Sequence, residues 1–116
     1  MTETSDLLLQ GVRIVEIAHP LTEHAGRLFA GLGAEVLLIE PPGGAAIRHR
    51  LPKIPGAGES DRASIPFLAR NANKDSIALD PDNDEDVALL AGLVARSHLV
   101  LAYTPLCIPT LSRAYS

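Results

Sequence analysis

The chain has 116 residues, a formal net charge of −4 and hydrophobic residues at 47% of its positions, which suffices for one domain with its own core. An acidic chain with no tryptophan and only 3% aromatic residues lacks the basic, aromatic surface that binds nucleic acids. No apolar run approaches the ~20 residues that span a bilayer, and the acidic start is unlike a signal peptide. We therefore expect a cytoplasmic protein without membrane or nucleic-acid partners. The single cysteine, Cys107, excludes an internal disulfide and is expected to be a buried, unreactive thiol.

The first part of the chain alternates strand and helix patterns. Residues 12–18, VRIVEIA, alternate β-branched residues and predict a first strand. The next segment has apolar residues at helical spacing and predicts a helix that begins near Thr22, with Gly33 as its C-cap glycine. Residues 36–39, VLLI, predict a second strand that is covered on both faces and ends at Glu40.

The rest of the chain begins with a long segment that shows no periodicity. Residues 41–66 contain five prolines and predict an irregular loop that is either functional or disordered. A third strand over residues 76–79, a helix over 80–97 with an acidic start, a fourth strand over 98–102 and a short final helix over 108–115 are expected to follow. This alternation predicts one α/β domain over residues 1–116, a Rossmann-like three-layer domain with a mainly parallel sheet of about four strands.

Three polar residues directly follow predicted strands. His19, Glu40 and Tyr103 come after the first, second and fourth strands, and ligands of parallel sheets bind beyond the carboxyl ends of the strands. An acid at the end of the second strand is where dinucleotide-binding folds hold a ribose hydroxyl, so a small Rossmann-like nucleotide binder is one alternative. No glycine lies between Val15 and Ala25, however, and a backbone without glycine there cannot approach a pyrophosphate closely.

Other catalytic and metal motifs are missing from the sequence. The four histidines do not have the spacing of a metal site, so we expect no metal. A Walker phosphate loop and a nucleophile elbow are also absent, which gives no support to ATP hydrolysis or to Ser-His-Asp catalysis.

Three sequence blocks, in this order and spacing, resemble the amino-terminal part of class III CoA-transferases. This family includes formyl-CoA transferase, the carnitine CoA-transferases and the related α-methylacyl-CoA racemases. The blocks are LQGVRIVEIA with AGRLFAGLGAEVLLIEPPGG, then FLARNANKDSIALD, and finally VALLAGLVARSHLVLAY with PLCIPTLSRAY. The resemblance implies a function in the transfer of CoA from an acyl-CoA to a carboxylate, with CoA or acyl-CoA as ligand. It also implies a fold that is incomplete relative to the family.

The resemblance also implies a binding site and its limits. In the family, loops beyond the strands hold the adenosine diphosphate part of coenzyme A. The residues that match by position are His19, Glu40, Arg48, Leu68, Asn71, Lys74 and Tyr103. The family's nucleophile is an aspartate that forms an anhydride and then a thioester, and it lies beyond the position that matches Ser116. We therefore expect no catalytic residue within this sequence and no CoA transfer by this chain alone.

Partners and a further alternative follow from the same resemblance. Family members form interlocked dimers in which carboxyl-terminal residues complete the sheet, which implies a homo-oligomer or a complementary carboxyl-terminal chain. Two loops are shorter than in the family: HPLTEH after the first strand, where Glu23 and His24 replace a G-P pair, and AYTP after the fourth, which loses polar contacts and a basic residue. These altered loops favour a non-catalytic interaction or subunit module that keeps the fold.

Overall fold

The computed structural model describes residues 7–56 and 64–103. Its four strands are β1 (Arg13–Ile17), β2 (Glu35–Glu40), β3 (Asp75–Ala78) and β4 (Leu99–Leu101). They form one sheet in the order β3-β2-β1-β4, and every neighbouring pair is parallel. The predicted α/β fold with a parallel four-stranded sheet is confirmed, and each strand lies close to its predicted bounds.

Helices cover both faces of this sheet. They are α1 (Glu23–Gly31), α2 (Ile65–Arg70) and α3 (Asp84–Ala95). On one face α1 packs on the sheet through Ala30, which lies with Ile14 and Val36 in one buried cluster. On the other face α3 packs through Leu90 and Val94 against residues of β1 and β2. The sheet is therefore the middle of three layers, as the sequence predicts.

The helix ends explain why α1 and α3 form where they do. The side chain of Asn83 caps α3 by accepting hydrogen bonds from the backbone N–H groups of Glu85 and Asp86, at 2.9 and 3.2 Å. Acidic residues fill the first turn, where the helix dipole favours negative charge. At the carboxyl end of α1, Gly33 follows the C-cap residue and has a φ of +102°, which a residue with a side chain rarely adopts.

The long loop contains regular structure that the sequence interpretation missed. A 3-10 helix spans Ala46–His49, an isolated antiparallel bridge joins Lys53 to Ser64, and α2 begins at Ile65, within the segment predicted to be irregular. Two signals for α2 are present in the sequence. Ser64 is an N-cap whose Oγ accepts a hydrogen bond from Phe67 N–H at 3.3 Å, and a proline lies in the first turn.

Some expectations lie outside the described residues, namely the environment of Cys107 and the helix over residues 108–115. Within residues 7–56 and 64–103, no helix is long and apolar enough to cross a membrane.

A candidate ligand cleft at the carboxyl edge of the sheet

A cleft of about 220 Å³ lies beyond the carboxyl ends of β1 and β2. We call it the edge cleft. One wall is the turn that joins β1 to α1, and the other is the loop that follows β2. The lining residues are Ala18, His19, Pro20, Glu23, Pro41, Ala45, Ala46 and Ile47. Because the strands are parallel, this is the edge at which such sheets bind ligands.

Two of the predicted site residues stack on each other at this edge. The rings of His19, after β1, and Tyr103, after β4, have centroids 4.2 Å apart and planes inclined by 18°. Strands β1 and β4 are neighbours, which is why residues so distant in sequence meet. Nδ1 of His19 accepts a hydrogen bond from Leu21 N–H at 3.1 Å, so a neutral imidazole has its proton on Nε2. The stacked pair lies beside the edge cleft, because His19 is one of the lining residues.

Glu40 and Arg48, also predicted site residues, form a buried ion pair. Arg48 Nε lies 2.6 Å from Glu40 Oε1, and Arg48 Nη2 lies 2.8 Å from Glu40 Oε2. The backbone N–H of Ala45 donates a further hydrogen bond to Glu40 Oε1 at 2.8 Å. The guanidinium also lies 3.8 Å from the centre of the Phe67 ring. Both charges therefore have partners inside the protein, and together they fasten the loop after β2 to the end of that strand.

The pKa of Glu40 is lowered by these contacts. Burial alone would raise it, but the hydrogen bonds from Arg48 and from the Ala45 backbone favour the charged form and outweigh burial. Glu40 is only 4% exposed. Its carboxylate is thus an internal anchor of the edge cleft rather than an accessible acceptor for a ribose hydroxyl.

In the third group of predicted residues, Asn71 and Lys74, the lysine contacts a different acid, Glu16. Lys74 Nζ lies 2.8 Å from Glu16 Oε1, and it donates hydrogen bonds to Asn71 Oδ1 at 2.7 Å and to the Glu23 carbonyl at 3.0 Å. The side chains of Lys74 and Glu16 are 1% and 0% exposed. Lys74 directly precedes β3, which begins opposite Leu37 in the middle of β2. From there its ammonium group reaches the first turn of α1, where it donates a hydrogen bond to the Glu23 carbonyl.

Glu16 is fully buried between the sheet and α1. Thr22 Oγ1 lies 3.1 Å from Glu16 Oε2. A methyl group at Gly26 of α1 would lie 1.8 Å from Glu16 Oε1, so only glycine permits the helix to pass here. Burial raises the pKa of Glu16, although Lys74 and Thr22 act in the opposite direction.

Glu23, in the first turn of α1, is a second buried acid next to this pair. It is 5% exposed and lines the edge cleft. Its Oε2 lies 3.7 Å from Arg70 Nη1, and within the described residues it accepts no hydrogen bond. The carboxylate adds negative charge to the wall of the edge cleft.

The structure thus separates the predicted site residues into distinct groups. His19 and Tyr103 stack, Glu40 and Arg48 pair, and Asn71 and Lys74 belong to the Glu16 network. Leu68 is 43% exposed on α2. Within the described part of the chain, no group of three or more histidine, cysteine, aspartate or glutamate residues could hold a metal ion.

Sequence reasoning missed the roles of Glu16 and Gly26. It placed Glu16 inside a strand and drew nothing further from it. An acid in a strand buried on both faces needs a cationic partner. That signal indicates a buried ion pair, but the ten lysines and arginines of the chain leave the identity of the partner open.

Comparison with known proteins gives a consistent family. The family model of CoA-transferase family III matches residues 9–104. A probable CoA-transferase of Mycobacterium tuberculosis is 40% identical over 80 residues, which cover 69% of this chain and 9% of that protein. The succinyl-CoA–L-malate CoA-transferase alpha subunit of Chloroflexus aurantiacus is 31% identical over 102 residues, which cover 86% of this chain and 23% of that protein.

A solved structure agrees with these matches. The crystal structure of a CaiB/BaiF family protein from Brucella suis superimposes with a TM-score of 0.72 at 33% sequence identity. The match covers 80% of this chain and 25% of that one. The chain therefore spans a quarter or less of the length of each of these three proteins.

Proposed function

Because the chain belongs to CoA-transferase family III, we propose that it forms the part of a CoA-transferase that binds the nucleotide end of CoA or acyl-CoA. In this proposal the edge cleft, with the stacked rings of His19 and Tyr103, receives that end of the ligand. The aspartate that accepts the acyl group is supplied by residues outside this sequence. The chain alone then binds CoA without transferring it.

The observation that supports this proposal best is the aromatic pair beside the edge cleft. The rings of His19 and Tyr103 are parallel to within 18°, and Tyr103 is 37% exposed. A flat aromatic surface stacks with a purine, which contributes about 1–3 kcal/mol per base. The adenine of CoA is therefore the part of the ligand that fits this surface.

The size and charge of the edge cleft define how much of CoA it holds. At about 220 Å³ it is smaller than the roughly 300–1,000 Å³ of sites that enclose a drug-sized ligand. Arg48 and Lys74 already have internal partners, whereas Arg50, on the loop after β2, is exposed. We propose that the cleft holds the adenosine, that Arg50 contacts a phosphate, and that the acyl-pantetheine arm reaches residues outside the sequence.

Equilibrium binding of CoA to the purified chain tests the proposal. With CoA at about 100 times its Kd, the expected gain in stability is about 2.7 kcal/mol, which raises the Tm of a domain of this size by roughly 10 °C. NAD at the same concentration is the matched control, since it shares the adenosine diphosphate part but has a different remainder. A Tm unchanged by millimolar CoA would refute ligand binding. A larger shift with NAD than with CoA would favour a Rossmann-like nucleotide binder instead.

A specific observation also favours a second candidate, a subunit module that retains the fold without the ligand. The three predicted ligand-binding charges, on Glu40, Arg48 and Lys74, all have internal partners. One relative is named as the alpha subunit of its enzyme, so a complementary chain is the partner that we propose for this candidate, with a second copy of this chain as the alternative.

Measurement of assembly and ligand binding on the same sample separates the two candidates. The subunit module predicts self-association, or a stable complex with the product of an adjacent reading frame, while CoA leaves the Tm unchanged. The CoA-binding segment predicts the Tm increase with CoA in either assembly state. Sedimentation gives the assembly state, and thermal unfolding of the same sample with and without CoA gives the Tm.

A further inference from the structure

We infer that Lys74 and Glu16 are positioning residues, which hold the first turn of α1 against the sheet and so shape one wall of the edge cleft, and that Lys74 does not contact the ligand. The inference rests on the proposed function only for its effect on CoA affinity. Its structural part concerns the chain alone.

The contacts of Lys74 connect four separate parts of the fold. The ammonium group lies 2.8 Å from the carboxylate of Glu16 on β1. It donates to the side chain of Asn71, which ends α2, and to the main-chain carbonyl of Glu23, in the first turn of α1. Lys74 itself leads into β3. One cation thus joins β1, α1, α2 and the start of β3.

Contacts of Glu16 hold the same turn from the sheet side. Its Oε2 lies 3.1 Å from Oγ1 of Thr22, the residue before α1, and Thr22 Oγ1 also lies 3.0 Å from the His19 carbonyl. The missing side chain of Gly26 lets the helix backbone rest directly on the carboxylate. His19 and Glu23 line the edge cleft, so the geometry of its wall depends on this ion pair.

The burial of Lys74 argues against direct binding of a phosphate by its ammonium group. The ammonium group has three oxygen atoms close to it: it donates hydrogen bonds to Asn71 Oδ1 and to the Glu23 carbonyl, and it forms an ion pair with Glu16 Oε1 at 2.8 Å. The Lys74 side chain is 1% exposed. A phosphate would have to displace an internal partner to reach it.

Chemical labelling tests the enclosure without any ligand. The chain has two lysines, and Lys53, which is partly exposed, is the matched control. Under brief reductive methylation of the folded chain, we expect Lys53 to react and Lys74 to remain unmodified, with and without CoA. Both should react in denaturant. Reaction of Lys74 at the rate of Lys53, slowed by CoA, would overturn the inference and make Lys74 a ligand contact.

Hydrogen exchange tests the positioning role. Gly26 N–H donates to Thr22 O at 3.0 Å in the first turn of α1, and Val87 N–H donates to Asn83 O in α3 on the opposite face. In the Lys74→Met chain, which leaves Glu16 without its cation, we expect exchange at Gly26 to accelerate about tenfold more than at Val87. The Lys74→Met/Glu16→Gln double variant should restore it. Equal acceleration at both amides would show a global effect and overturn the inference.

CoA affinity gives the functional readout. The double variant replaces the ion pair under α1 with two neutral side chains, so its Kd for CoA should stay within about threefold of that of the unaltered chain. The Lys74→Met variant should bind CoA about tenfold more weakly. Equal losses in both variants would mean that the charge of Lys74 itself contacts CoA. If the unaltered chain does not bind CoA, the proposed function fails, and the labelling and exchange results still decide the positioning role.

Discussion

The ammonium group of Lys74 lies 2.8 Å from the carboxylate of Glu16, and neither side chain is more than 1% exposed. The pair is buried between the sheet and α1, next to the edge cleft but outside its lining. A buried ion pair of this kind is costly to break from one side, because the remaining charge has no partner. The packing of α1 therefore depends on an electrostatic contact as well as on apolar residues.

Gly26 is the position in α1 where an added side chain would disturb this ion pair. A methyl group there would lie 1.8 Å from Glu16 Oε1 and 3.0 Å from Lys74 Nζ. Gly26→Ala should destabilise the chain by about 2 kcal/mol, because disturbing the ion pair costs more than the roughly 1 kcal/mol that alanine contributes to a helix.

The matched control is Gly31→Ala in the same helix, where the added group meets nothing within 4 Å. This change should be neutral or stabilise by up to about 1 kcal/mol. Denaturant unfolding of the two variants measures both values. Equal effects of the two changes would contradict the close approach at Gly26.

The pH dependence of stability should contain a contribution from Glu40. Its pKa is lowered in the folded chain, so its contribution is present above the unfolded pKa of about 4.3 and is lost as the pH falls through the folded value. The free energy of unfolding of the unaltered chain minus that of Glu40→Gln should therefore be largest above about pH 5 and shrink in acid. A difference that does not change between pH 7 and pH 3 would contradict the buried pair with Arg48.

Glu16 should show the opposite trend. Burial raises its pKa, so its contribution is present below the unfolded pKa of about 4.3 and is lost as the pH rises through the folded value. The Glu16→Gln chain should thus gain stability relative to the unaltered chain as the pH rises from about 4 towards neutrality. Unfolding at several pH values measures this, and a relative loss over the same interval would show that the carboxylate is stabilised in its charged form.

Arg48 and Arg50 provide a matched pair on one loop. Arg48→Met leaves the Glu40 carboxylate buried without its cation and should cost about 3 kcal/mol. Arg50 is exposed, and Arg50→Met should change stability by less than about 0.5 kcal/mol. Urea unfolding distinguishes the two. A small cost for Arg48→Met would mean that the loop after β2 does not depend on this ion pair.

Tyr103 tests the aromatic surface. Tyr103→Ala removes the ring that stacks on His19 and should weaken CoA binding about tenfold, whereas Tyr103→Phe keeps the ring and should bind within about twofold. Titration calorimetry with CoA gives the two Kd values. Equal affinity of the alanine and phenylalanine variants would remove the stacking role.

Hydrophobic patterning was enough to predict the sheet. Alternation in β1 and the continuous apolar run in β2 depend only on which faces are buried, and the structure confirms the parallel α/β arrangement. The six-residue helix α2 was missed because its apolar pattern is too short for a helical period to show. Its N-cap, Ser64, was the available signal.

Long-range ionic partners were harder to predict from the sequence. Glu40 and Arg48 lie near each other in the chain, yet Glu16 and Lys74 meet only because β3 starts halfway along β2. Strand register is set by the packing of whole elements, so the register of β3 on β2 could not be predicted from this one sequence. The assignment of Lys74 to the site for the adenosine diphosphate part of CoA stays a prediction, and its buried ion pair with Glu16 favours the positioning role instead.

The most direct test of the central claim is an NMR titration of the isotopically labelled chain with CoA. We expect the backbone signals of residues 18–23 and 41–47 and of Tyr103 to shift together and saturate with one Kd, while signals of α3, on the opposite face of the sheet, stay in place. Saturable shifts confined to residues away from the edge cleft, or no shifts at millimolar CoA, would contradict the account.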